Sequence, residues 1–320
     1  MNPPDPQASR SQYNVLDPAP HTLYECQSAE EFLARFEATT GLRVETITQG
    51  LIKDGTPTAI FLVGSIPLGM GTRGSDVDIV VLVDSKEALA NDQERIVNDS
   101  QQASFLNEAD PLIAGTFIQL HEGILVEVQV AITSAIRNVY ARLRRRSPEL
   151  GETETRILGR LKAGWLLWES EGYLKHTSID WSDRTLAVYC CTRNFVTALT
   201  HQRKAAKALE LRDLTLALHL GRASAEMAYL AYFASEGLMY LGVKWLAQLG
   251  FAREAGARLA RHPALKENLH LLFPVFHSTL DEATQYQQDV GEFLNSMRNL
   301  IEKQIIFRIA FKACIQIALA

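Results

Sequence analysis

Apolar residues follow two different patterns in the two halves of this 320-residue chain. In the first half they form short runs and alternations, which are typical of strands. The predicted strands cover residues 58–63, 76–83, 116–120 and 124–130. A helix is predicted over residues 28–39, and the polar stretch 85–107 also has helical spacing. The first half is therefore predicted to be α/β, with a small mixed sheet.

From residue 152 onward, helical periodicity dominates and glycine and proline become rarer. The predicted helices cover residues 152–170, 181–208, 213–235, 238–260 and 278–320. The break at residues 147–151 is the best domain boundary. We therefore expect a proline-rich mobile tail at 1–22, an α/β domain at 23–150 and an all-α helical domain at 151–320.

Composition places the chain among ordinary globular proteins. Hydrophobic residues make up 47% and charged residues 22%, and the net charge of −5 disfavours a general nucleic-acid binder. The four cysteines have no metal-ligand spacing, so we expect them to be reduced, as in a cytoplasmic protein. The polar N-terminus does not resemble a signal peptide, and no apolar run reaches the length of a membrane span.

Two acidic residues lie one apart at the start of a strand that is otherwise apolar. Because side chains alternate in a strand, Asp76 and Asp78 project from the same face. Paired carboxylates are costly unless a positive charge neutralises them, and oxygen ligands suit magnesium. Upstream, after another apolar stretch, comes Gly64-Ser65. The pattern indicates metal-assisted phosphoryl transfer.

The segment between the first two strands contains a GxGxxG pattern at Gly69, Gly71 and Gly74. A dinucleotide-binding fold needs such glycines to lead directly into a helix. Here they lead into the strand that carries Asp76 and Asp78. The Rossmann interpretation is therefore disfavoured.

The whole pattern resembles the nucleotidyltransferases of the DNA polymerase β superfamily. The motifs are Gly64-Ser65 after a strand, Arg73-Gly74, and Ser75-Asp76-Val77-Asp78 on the next strand. The resemblance covers residues 59–130. It implies that Glu127 is the third carboxylate, although Glu122 competes for that role.

The resemblance implies transfer of a nucleoside monophosphate, AMP from ATP by abundance, to a hydroxyl group with release of pyrophosphate. Two Mg²⁺ ions, or Mn²⁺, would be held by the three carboxylates, and Glu127 could take the hydroxyl proton. The nucleoside triphosphate would contact Gly64, Ser65, Arg73 and Ser75.

Basic residues of the helical half could also contact the triphosphate. The resemblance makes Lys244 a candidate, and a surface lysine beside a core tryptophan is the alternative. Four basic residues of another helix could serve equally: Arg193, Arg203, Lys204 and Lys207. The cluster at residues 137–146 could bind RNA phosphates, but a solvated helix face is favoured because no aromatic residues form a stacking platform.

The layout is similar to that of antibiotic-modifying nucleotidyltransferases, in which a helical domain closes a cleft over nucleotide and acceptor. We therefore expect a small-molecule acceptor and no membrane partner. The alternatives are transfer to a protein or an RNA 3′ end, nucleotide cyclisation, or a non-catalytic module that binds nucleotide.

Overall fold

The computed structural model describes residues 29–52, 57–67, 75–84, 102–105, 112–121, 123–145, 150–170, 173, 184–239, 263–274 and 279–303. The chain divides into two compact units, Met1–Asp183 and Arg184–Ala320. The predicted tail 1–22 and the predicted helix at 238–260, apart from its first two residues, lie outside the described residues. The first unit therefore extends past the boundary predicted at residues 150 and 151.

The first unit is built on a six-stranded mixed sheet. The strands are β1 (Ala59–Val63), β2 (Val77–Val83), β3 (Gln102–Phe105), β4 (Ile113–His121), β5 (Ile124–Ile132) and β6 (Trp165–Glu169). Their order in the sheet is β3-β4-β5-β2-β1-β6. Neighbouring β2 and β5 are parallel, and the other pairs are antiparallel. The predicted α/β class with a small mixed sheet is confirmed.

In the described ranges of this unit the sheet is accompanied by the helices α1 (Ala29–Thr40), α2 (Val44–Ile52), α3 (Thr133–Leu143) and α4 (Glu152–Ala163). Helices α1 and α2 share one core with alternate residues of β2 and β5, such as Val77 and Val126. The ring of Phe32 in α1 stacks on Trp165 in β6, with centroids 3.9 Å apart. One face of the sheet is therefore closed by apolar packing, and the alternate residues project from the other face.

The prediction of a helix over residues 152–170 is wrong for its last part. Helix α4 ends at Ala163, and Gly164 adopts an extended backbone at φ −80° and ψ 165°. The residues that follow form β6, which pairs antiparallel with β1. A short apolar run such as this one fits a buried helix and a buried strand equally well, so spacing alone could not separate them.

Two further elements differ from the predictions. The helical spacing assigned to residues 85–107 ends in a strand, since β3 pairs with β4. Helix α2 was not predicted. The pairing of β1 with β2 is antiparallel, whereas a Rossmann fold requires parallel strands, so that alternative is excluded.

The second unit is helical in the part that the structure describes. Its elements are α5 (Thr185–Glu210), α6 (Leu214–Ser235), α7 (Pro263–Glu267), a 3₁₀ turn (Leu269–Leu272) and α8 (Leu280–Glu302). The Ser224 hydroxyl on α6 donates to the Ala198 carbonyl on α5 at 2.8 Å, and the Gln287 amide on α8 donates to the Ala217 carbonyl at 2.7 Å. The all-α prediction for this region is confirmed.

Two expectations drawn from the sequence concern the cysteines and membrane-spanning helices. Cys190 and Cys191 are buried free thiols, as predicted, whereas Cys26 and Cys314 lie outside the described residues. None of the helices in the described ranges combines the length and the apolar character that crossing a bilayer demands.

Candidate active site

Two carboxylates lie on neighbouring strands at the centre of the sheet, where the parallel strands β2 and β5 run side by side. The register places Asp78 directly opposite Glu127. Both side chains are half-buried. Paired residues of neighbouring strands project from the same face, so the two carboxylates share one side of the sheet. Asp76 lies just before β2 and is exposed. It is two residues from Asp78 and belongs to the same face.

The turn after β1 lies against Asp78. Val63, the last residue of β1, pairs with Asp78, and Gly64 follows with φ +81°. A Cβ atom at Gly64 would overlap Oδ2 of Asp78 and lie 2.8 Å from its Cγ. Glycine is therefore needed at this position for two reasons: the left-handed backbone and the close approach of the carboxylate. Ser65 is 5% exposed in the same turn.

A chain of hydrogen bonds begins at Glu127. The Nε2 group of Gln129 donates to Oε1 of Glu127 at 2.8 Å. Nη1 of Arg160 in α4 donates to Oε1 of Gln129 at 3.0 Å. Gln129 is 7% exposed. Helix α4 therefore reaches the carboxylate face of the sheet, on the side opposite α1 and α2.

The donor set suits a hard divalent cation, because carboxylate oxygens are the ligands that Mg²⁺ prefers. Across the described ranges, no three acidic, histidine or cysteine side chains are grouped so that they could enclose a metal ion. The structure thus brings Asp78 and Glu127 into register and leaves the exposed Asp76 at the margin.

Comparison with known proteins identifies this part of the chain. The family described as "Nucleotidyltransferase domain" matches residues 44–132. Residues 44–132 are a nucleotidyltransferase domain. The predicted family and the predicted enzyme class, a nucleotidyltransferase, are confirmed. The domain contains α2, β1 to β5, all three predicted carboxylates and the turn at Gly64.

Two solved structures are similar to the chain at low identity. A nucleotidyltransferase-like protein from Exiguobacterium sibiricum is 12% identical, with a TM-score of 0.41, and the match covers 85% of this chain and 77% of that one. An aminoglycoside 6-adenyltransferase from Bacillus subtilis is 11% identical, with a TM-score of 0.32, and the match covers 86% and 95% respectively. No curated protein matches the chain.

Two predicted ligands of the nucleotidyltransferase domain lie outside the described residues: Arg73 and the alternative carboxylate Glu122. The glycines of the GxGxxG pattern, which were not predicted to be ligands, lie outside them as well. The same holds for Lys244 in the second unit. Ser75 is described and half-buried just before β2. The roles of these residues remain predictions.

Sequence reasoning found the acidic residues but did not find the hydrogen bonds that link Gln129 and Arg160 to Glu127. Alternation in β5 predicts that Gln129 shares a face with Glu127, and the structure agrees. No sequence signal connects Arg160 with them, because it lies 31 residues from Gln129 and outside the nucleotidyltransferase domain. Only the packing of α4 on the sheet brings it there.

The basic cluster predicted after β5 is partly engaged within the protein. Nη2 of Arg142 donates to Oε2 of Glu154 at 2.6 Å, and the same oxygen accepts from the Gly151 amide at 2.7 Å. The guanidinium of Arg144 lies over the Tyr140 ring, 5.1 Å from its centroid. These contacts are what a solvated helix face would make.

Proposed function

We propose that this chain is a metal-dependent nucleotidyltransferase that moves a nucleoside monophosphate, AMP from ATP, to a hydroxyl group of a small molecule. The proposal is carried by one observation. Within the nucleotidyltransferase domain, Asp78 and Glu127 are paired in register on parallel strands, with their side chains on one face. Asp78 of this pair also lies against the turn that follows β1.

Three side chains would hold the ion: Asp76, Asp78 and Glu127. Bound Mg²⁺ would neutralise the triphosphate and lower the pKa of the attacking hydroxyl, and two ions can share these roles. Asp76 is exposed, so its side chain has several rotamers with which to approach Asp78 and Glu127. The carboxylate of Asp78 has less freedom, since it lies against Gly64.

The transfer itself asks mainly for positioning and charge. The hydroxyl oxygen of the acceptor forms a bond to the α-phosphorus while the bond from that phosphorus to the bridging oxygen breaks. Pyrophosphate leaves with the electron pair, and Glu127 accepts the hydroxyl proton. Backbone amides in the turn at Gly64 and Ser65 would bind the departing phosphates, because such amides attract anions.

A small-molecule acceptor is favoured over RNA by charge. The chain carries a net charge of −5, and the site face is lined by carboxylates. The net charge would repel a long polyanion such as RNA, whereas Mg²⁺ would offset the carboxylates for the short triphosphate. The basic side chains Arg142 and Arg144 are also engaged in contacts within the first unit, as described above.

The test is pyrophosphate release by the full chain with Mg²⁺, each of the four nucleoside triphosphates and a panel of hydroxyl acceptors. Asp78→Asn removes the negative charge at nearly constant volume, and we expect release to fall by at least about 100-fold. The matched control is Asp84→Asn. Asp84 follows β2 at its other end and accepts a hydrogen bond from the Tyr173 hydroxyl at 2.6 Å, which asparagine can still accept.

Each outcome has a distinct meaning. Release that is lost in Asp78→Asn but kept in Asp84→Asn supports the proposal and identifies the nucleotide. Unchanged release in Asp78→Asn refutes the site. Release only in the presence of RNA or a protein changes the acceptor class. Nucleotide binding without release under every condition makes the chain a binding module.

A further inference from the structure

The amide of Gln129 is held at both ends by side chains of opposite charge. Its nitrogen donates to Oε1 of Glu127 at 2.8 Å, and its oxygen accepts from Nη1 of Arg160 at 3.0 Å. Gln129 is 7% exposed. Both N···O distances are ordinary for a hydrogen bond. Both bonds involve a charged partner, which makes them stronger than bonds between two neutral groups.

Arg160 and Glu127 select the same orientation of the Gln129 amide. A guanidinium group has only donors, so the side-chain carbonyl of Gln129 must point toward it. The NH₂ group then points toward Glu127, where a carboxylate can accept. Without the arginine, the Gln129 carbonyl loses its charged donor, and the side chain is held at one end only.

We infer that Gln129 and Arg160 are positioning residues that orient Glu127, an inference that rests on the proposed function. The hydrogen bond from Gln129 engages one carboxylate oxygen of Glu127 and fixes its side-chain rotamer. The other oxygen, Oε2, is thereby directed for contact with the cation or the acceptor hydroxyl. Arg160 acts on Glu127 through Gln129.

A purely structural explanation fits less well. The buried Gln129 amide and the half-buried Arg160 guanidinium both lose solvation, and an apolar pair of similar volume would pack on the sheet at lower cost. The arrangement also ends on a half-buried carboxylate that could have been solvated instead. Groups that hold a metal-binding carboxylate from behind commonly change metal affinity or activity by about 10-fold to 100-fold when removed.

The experiment measures Mn²⁺ binding to the full chain, from the electron paramagnetic resonance signal of free Mn²⁺, together with kcat and KM for pyrophosphate release. Gln129→Leu should weaken Mn²⁺ binding about 10-fold to 100-fold and lower kcat, with little change in the KM for nucleotide. In a Glu127→Gln background the same change should alter Mn²⁺ affinity by no more than about twofold, because the positioned group is already gone.

Two further variants keep the test valid if Gln129→Leu folds poorly. Arg160→Met removes the donor that holds the Gln129 carbonyl, so the amide is less firmly fixed and Mn²⁺ binding should weaken, while Arg160→Lys retains a donor and should restore most of it. The matched control is Gln119→Leu. Gln119 on β4 is paired with Val126 on β5. Val126 is the neighbour of Glu127 and projects from the opposite face, so Gln119 belongs to that opposite face.

Three results would overturn the inference. Wild-type Mn²⁺ affinity in both Gln129→Leu and Arg160→Met would do so while leaving the proposed function intact, provided wild type releases pyrophosphate. Equal weakening in Gln119→Leu would show a general effect on the sheet. Absence of Mn²⁺ binding by wild type would refute the metal-dependent function, and the inference with it.

Discussion

At the scale of single residues, the site depends on a missing side chain as much as on those present. The carboxylate of Asp78 lies against the Cα of Gly64, at a backbone position with φ +81°. A left-handed conformation costs any other residue roughly 1–2 kcal/mol. At Gly64 a second cost is added, because a Cβ would overlap the carboxylate.

The two costs can be separated by a matched pair of variants. Gly64→Ala should lose pyrophosphate release as well as stability, because Asp78 must move away. Gly41→Ala should lose only about 1 kcal/mol from strain, since Gly41 has φ +78° but no atom within 4 Å of the added Cβ. Urea unfolding and activity of both variants check this. Equal activity in the two would show that Asp78 is not displaced.

The residue scale also shows what a sequence discloses about a site. Alternation in β2 and β5 was enough to group Asp76 with Asp78 and Glu127 with Gln129, because a strand has a fixed period of two. The pairing of Asp78 with Glu127 depends on register between strands separated by β3 and β4. Arg160 needed the packing of a helix on the sheet, which spacing does not encode.

At the scale of elements, the end of α4 is held unusually close to β1. A Cβ at Gly164 would lie 2.8 Å from the Leu62 carbonyl oxygen and 3.0 Å from Cγ1 of Val63. The backbone there is extended, so the constraint is space and not conformation. The same helix carries Arg160 one turn earlier, and its placement depends on this contact.

Gly164→Ala should therefore affect stability and activity together. Overpacking against backbone atoms costs about 1–3 kcal/mol, and the shift of α4 should separate Arg160 from Gln129. Gly151→Ser, at the start of the same helix, is the control, since its Cβ would meet only Glu154 at 3.7 Å. Serine is a favourable N-cap residue, so this control should match wild type. If both variants unfold at the same urea concentration as wild type, the close packing is not required.

Elements differed in how well the sequence predicted them. The apolar runs of β1 and β2 were bounded by turn residues, so both strands were recognised to within one residue. β6 was taken as a helical continuation because Trp165 to Glu169 follows α4 with no break except one glycine. Its identity as a strand comes from β1, which lies about 100 residues earlier and supplies the hydrogen-bond partners.

At the scale of the whole molecule, the two units differ in the chemistry of their interiors. The first unit places carboxylates at the surface of its sheet, whereas the second buries neutral titratable groups. Burial raises the pKa of the Cys190 thiol to about 12. It also raises the pKa values of Cys191, Tyr229 and Tyr286.

These shifts predict a loss of stability in alkali. The thiol of an unfolded cysteine has a pKa of about 8.5, whereas that of folded Cys190 has a pKa of about 12. Between these values the unfolded state binds fewer protons, so the free energy of unfolding must fall as pH rises. Urea unfolding from pH 8 to pH 11 should show this fall, with a shallower slope in Cys190→Ala. Parallel slopes for wild type and variant would contradict it.

The strand β6 lies outside the nucleotidyltransferase domain, yet it covers the edge of β1. During synthesis β1 leaves the ribosome roughly 100 residues ahead of β6, which corresponds to about 5–20 s at ordinary translation rates. Throughout that interval the free edge of β1 offers unpaired amides and carbonyls to any extended segment nearby. The nascent chain must therefore pass through a stage at which its central sheet can be captured by a chaperone or by another copy of itself.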